Sequence, residues 1–116
     1  MPKLADIRWE ELRAEAHEVM INLARAGQVV TYSEFCAMLT TAYIHYHSPL
    51  LVRLLDEIGN MEAQAGRPVL PALVVAKQTG IPGAGFFRID SGEPIDDPKY
   101  YWQRELQRVF DYWSKA

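Results

Sequence analysis

The sequence has little that could staple it, anchor it or make it strongly basic. It carries one cysteine, Cys36, in 116 residues, so no internal disulfide framework is open to it. Its apolar runs all stop short of the roughly 18 residues a membrane span needs. The opening stretch from Met1 to Glu11 mixes charge with apolar residues and does not resemble a signal peptide. Cationic charge is also scarce: twelve Lys and Arg face fifteen Asp and Glu, for a net charge of −3. These absences point to one soluble domain spanning residues 1–116, in a reducing compartment and therefore cytoplasmic. They weigh against a polyanion binder that works through bulk charge.

What is present is enough apolar mass, 49% of residues, to bury one core without metal or disulfide support. Charge is unevenly spread. Residues 67–89 hold Arg67, Lys77 and Arg88 and no carboxylate, whereas the segments on either side are both acidic. Either this is a basic surface, or a short buried sheet leaves little room for carboxylates.

Helical spacing of Ile7, Leu12, Ala16, Val19, Met20 and Leu23 predicts a first helix from an Asp6 cap to about Ala26, stopped by Gly27. After the short β-branched pair Val29-Val30, Thr31 and Glu34 have capping-box spacing and open a second helix, Tyr32 to about Leu39. Ser48-Pro49 pairs a capping hydroxyl with a proline suited to the first helical position. A third helix starts there, with Leu51, Leu54, Leu55, Ile58 and Met61 as its inner stripe and Gly66 as its stop. The three-valine run Val69 to Lys77 reads as a strand, Gln78 to Gly85 as a turn, and Phe86 to Ile89 as the returning strand. Asp97-Pro98 opens a last helix with Trp102, Leu106, Val109 and Trp113 on one face.

That order is the order of a winged helix-turn-helix: an α+β fold of three helices plus a small antiparallel β-hairpin wing, here with an extra C-terminal helix. Helix three would read a duplex, and the turn from Gln78 to Gly85 would be the wing. Val29-Val30-Thr31-Tyr32-Ser33-Glu34-Phe35 resembles the entry to the helix-turn-helix in the DNA-binding domain of alkylguanine alkyltransferases and alkyltransferase-like proteins. The resemblance covers Val29 to Ile89 by element order and the first seven residues by motif. It implies that Tyr32 lies against a DNA backbone. The family's nucleophile sits in a Pro-Cys-His-Arg run, for which this chain has Pro71-Ala72-Leu73-Val74, so alkyl transfer is excluded. His47-Ser48-Pro49 stands near the place of the family's base-replacing arginine, so base flipping gains no support.

The remaining constellations are weaker. Cys36 beside Phe35 reads as a packing residue, since no activating base is in view. His45 and His47, with His17 as a third ligand, could hold a metal, but the pair more simply packs the turn between helices two and three. Gly80-Ile81-Pro82-Gly83 has the form of an RNA-clamping loop, yet it fits a turn that needs positive φ. Asp90, Asp96 and Asp97 read as a cap and a solvated loop. No catalytic centre, cofactor or metal is expected, and the chain is not read as an enzyme.

Two functions follow as expectations. The first is a non-enzymatic binder of duplex DNA through Tyr32, His47, Arg53, Arg67, Lys77 and Arg88, with Asp56 and Glu57 on helix three opposing it. The second is an acidic protein-interaction module that pairs with itself or a partner protein, as a homodimer through the aromatic C-terminal helix with its Tyr100, Tyr101, Trp102, Phe110, Tyr112 and Trp113.

Overall fold

A computed structural model of the chain describes the backbone of residues 4–90 and 96–115 and the side chains of residues 8–87 and 96–115. Five helices dominate it: α1 (Leu4–Ala26), α2 (Tyr32–Met38), α3 (Pro49–Gln64), α4 (Ala84–Asp90) and α5 (Pro98–Lys115). Two strands of two residues each, β1 (Val30–Thr31) and β2 (Val74–Val75), complete an α+β chain that is mostly helical. Among the described residues no helix is long and apolar enough to cross a membrane.

The local start signals act where the sequence places them. The Thr31 hydroxyl accepts the Glu34 amide at 3.3 Å while the Glu34 carboxylate accepts the Thr31 amide at 2.9 Å, so two otherwise orphaned donors at the start of α2 are satisfied. The Ser48 hydroxyl accepts the Leu50 amide at 3.1 Å, and Pro49 occupies the first turn of α3. Asp97 does the same for Tyr100 at the head of α5. Helix α1 begins at Leu4, so Asp6 lies within its first turn instead of capping it. Asp90, expected in a loop, is instead the last residue of α4, and Gly92 to Pro94 lie outside the described residues.

Leu12, Ala16, Met20 and Leu23 share one face of α1, and Leu51, Leu54, Leu55 and Ile58 share one face of α3. Both faces bury against Phe35, Leu70, Leu73, Val74, Val109 and Trp113 in a single core. Met61, expected on the inner stripe of α3, is 38% exposed.

The expected antiparallel hairpin is corrected. The run from Val69 is not a strand: Leu70–Leu73 forms a 3-10 turn, with Pro71 fixing φ near its start and the Trp102 indole donating to the Ala72 carbonyl at 2.8 Å. Only Val74–Val75 is extended, and it pairs in parallel with β1, Val30 opposite Val74 and Thr31 opposite Val75. The returning segment is α4, whose first turn closes through Phe86 N–H to Gly83 O at 3.2 Å. A strand would send Phe86 and Phe87 to opposite faces. A helix sets successive side chains about 100° apart, which lets both rings meet Tyr101 of α5, at 6.4 and 6.1 Å between centroids.

Candidate nucleic-acid interface

The six residues singled out in the sequence have different surroundings. Tyr32 is the first residue of α2, and its hydroxyl accepts the Gly83 amide at 2.6 Å. Burial pushes its phenol pKa up, against the pull of that amide. A side chain at position 83 would bring a Cβ to 3.0 Å from the same hydroxyl, so the glycine is what permits the close approach. His47 is exposed in the α2–α3 turn, and Lys77 is exposed in the turn after β2. That turn closes through Gly80 N–H to Ala76 O at 2.8 Å, with Gly80 at φ +73°.

Arg53 and Arg67 are engaged within the fold. Arg53 donates through Nε to Glu57 Oε2 at 2.8 Å and lies over the Trp9 ring, 4.5 Å from its centroid. Glu57 also accepts the Trp9 indole at 2.9 Å and Arg13 at 2.7 Å. Burial pushes the Glu57 carboxyl up, but the bonds from Trp9, Arg53 and Arg13 outweigh it and hold the pKa below the usual range. Arg67 grips Glu62 through Nε at 2.8 Å and a terminal nitrogen at 2.9 Å, and His17 closes the third side of that carboxylate at 2.7 Å. Glu62 is fully buried. The side chain of Arg88 lies outside the described residues, and its backbone belongs to α4, not to a wing strand.

Sequence reasoning overlooked Glu57 and Glu62 as hubs. One signal was available, since Arg53 and Glu57 stand at i and i+4 on a helix. The other was not, because Glu62 and Arg67 meet across a helix end and His17 comes from α1.

Two clefts adjoin at Tyr32, Tyr46 and Val52. One, the more polar of the two, is a groove of about 460 Å³ that also takes in Thr31, Ser33, His47, Ser48, Lys77 and Gln78, with Ala76 and the rings of Tyr32 and Tyr46 in its wall. Its lining contains no carboxylate. Glu34 lies nearby, committed to the α2 cap, and its pKa is held low first by the Thr31 bonds and then by Lys77. The other is an apolar cleft of about 250 Å³ between Leu51, Val52, Leu55 and Asp56 of α3 and the segment Pro82 to Phe86. Cys36 lines neither: it borders a third groove beside Tyr43, and burial raises its thiol pKa, which suppresses the nucleophilic thiolate. His45 and His47 share the turn, while His17 is bound to Glu62 on another part of the fold.

The aromatic residues of α5 mostly face inward. Trp113 is buried, and Trp102, Tyr101 and Phe110 pack on the core, which leaves Tyr100 and Tyr112 as the exposed rings of that helix. No protein-family model, no curated protein and no solved structure matches the chain.

Proposed function

We propose that the chain is a non-enzymatic nucleic-acid-binding module of helix-turn-helix type, with the polar groove taking a phosphate backbone. The observation that carries the reading is the groove's composition: the Lys77 ammonium, the His47 imidazole and the hydroxyls of Thr31, Ser33 and Ser48 surround one space without a lining carboxylate. The start of α3 borders the same space, so a backbone lying there also meets the helix that a helix-turn-helix presents to its ligand.

With Arg53 and Arg67 held by Glu57 and Glu62, the phosphate contacts among the described candidate residues fall to Lys77, His47 and Tyr32. Binding is therefore modest in its salt response, with a slope of log affinity against log salt of about −1, from the single Lys77 ammonium, instead of the steep dependence of a basic groove. The test is a salt titration of a labelled duplex DNA against the native chain and Lys77→Ala/His47→Ala. Loss of most of the affinity in the double variant supports the reading. If neither a duplex nor a single strand shifts at low salt, the reading is removed.

A protein-interaction module is the second reading. It is favoured by Leu50 and Val52, which are 48% and 54% exposed on α3 beside the apolar cleft.

A further inference from the structure

Between α2 and α3 the chain places three consecutive rings on the outside. His45 and Tyr46 stack at 4.6 Å with 23° between their planes, Tyr46 and His47 lie 4.1 Å apart, and all three residues are exposed. The turn beneath is fixed. Ile44 is buried in the core, Ser48 N–H donates to His45 O at 2.9 Å, and His47 N–H donates to His45 Nδ1 at 3.1 Å. Burial in the core does not account for these rings, because they cover one another in place of the apolar interior. Tyr46 borders both clefts and the third groove beside α2, so it forms the ridge where the three meet.

We infer that this ring cluster is a stacking platform for unpaired nucleobases, so that the preferred ligand is a nucleic acid containing a single-stranded or unpaired segment. The inference rests on the proposed nucleic-acid reading and narrows its polymer. A base inside a continuous duplex has both faces covered by its neighbours, whereas an unpaired base offers a π-face to an exposed ring. A pre-ordered turn loses little conformational freedom when it receives one. The adjacent groove supplies what the rest of the nucleotide needs, an ammonium from Lys77 and hydroxyls from Ser33 and Ser48, with no lining carboxylate to repel phosphate. The Lys77 ammonium and the hydroxyls beside the ridge are what favour a nucleic acid over an apolar peptide there.

The experiment measures binding of three labelled oligonucleotides at one fixed low salt concentration: a single strand, its full duplex, and the duplex with a central unpaired bulge. The native chain is compared with Tyr46→Ala, Tyr46→Trp and His45→Ala. The expected result is single strand and bulge bound roughly tenfold more tightly than duplex, a preference that Tyr46→Ala abolishes and Tyr46→Trp keeps. His45→Ala gives an intermediate loss, and it stands in for Tyr46→Ala if that variant does not fold. Equal affinity for all three oligonucleotides, or an equal loss on all three in Tyr46→Ala, overturns the stacking platform and leaves backbone binding standing. Binding of none of them overturns the nucleic-acid reading and the platform with it.

Discussion

Replacing Glu62 with glutamine keeps its volume and removes its charge, at a side chain with no exposure to water. The carboxylate accepts three bonds, from His17 and from two nitrogens of Arg67, and an amide can accept only where its single oxygen points. Its NH2 would face a donor, and the guanidinium would lose its counter-charge. Breaking one side of a buried ion pair costs about 3–5 kcal/mol when the surviving charge stays buried. Here Arg67 and His17 are 31% and 24% exposed and keep some water, which places Glu62→Gln at about 3 kcal/mol. At about 4 °C per kcal/mol for a domain of this size, the Tm should drop by about 12 °C.

The pH dependence gives an independent check. Burial pushes the Glu62 carboxyl up, but the Arg67 and His17 bonds win and leave it below its ordinary value of 4.5. A carboxyl whose folded pKa is depressed contributes its stability fully above the unfolded pKa and loses it as pH falls through the folded one. The gap between native chain and variant in urea melts followed by far-UV circular dichroism should thus be full at pH 7 and shrink on acidification below about 4.5. A gap under about 0.5 kcal/mol at pH 7, the size of an ordinary surface substitution, or one that does not change with acid, would refute the assignment of Glu62 as the charged hub.

Tyr32→Phe removes the acceptor of the Gly83 amide, which water can partly replace because Gly83 is exposed. The expected cost is about 1 kcal/mol with faster hydrogen exchange at that amide, and an unchanged exchange rate would show that the bond does not hold in solution. Glu15, on α1, receives the Thr40 hydroxyl and the Thr40 and Thr41 amides, and these bonds, led by the Thr40 side chain, lower its pKa to about 2. Its contribution is present above pH 4.5 and disappears as pH falls through about 2, and an NMR titration of the carboxyl with a midpoint near 4.5 would contradict it.

Where the fold was legible in the sequence, the deciding chemistry was local. Thr31 and Glu34, Ser48 and Pro49, and Asp97 before Pro98 each act within one helical turn, so spacing alone locates them. Where it was not, a distant partner decided. The Val69 to Val75 run is apolar because it is surrounded, not because it is a central strand, and the Trp102 bond that shapes its 3-10 turn comes from thirty residues away. Phe86 and Phe87 suited either a strand or a helix until Tyr101 was placed beside them. The candidate site followed the same rule: Lys77 and His47 are as exposed as the loops they sit in, whereas the free cations expected at Arg53 and Arg67 are held by carboxylates on α3.

The parallel pair of two-residue strands has a kinetic side. Its partners, Val30 with Val74 and Thr31 with Val75, are separated by about forty residues of chain, and two rungs of a ladder are a small return for closing so long a loop. The ladder can persist only while α2, α3 and the buried turn between them and β2 stay docked, so it acts as a latch that reports on the whole core. Loss of the core as a whole would release β2, free the Lys77 turn and loosen the Tyr32 tether to Gly83 in one event. Amide exchange along β2, where the Val74 amide is held by the Pro71 carbonyl of the buried 3-10 turn, should therefore track global unfolding, although strands so short would ordinarily fray first.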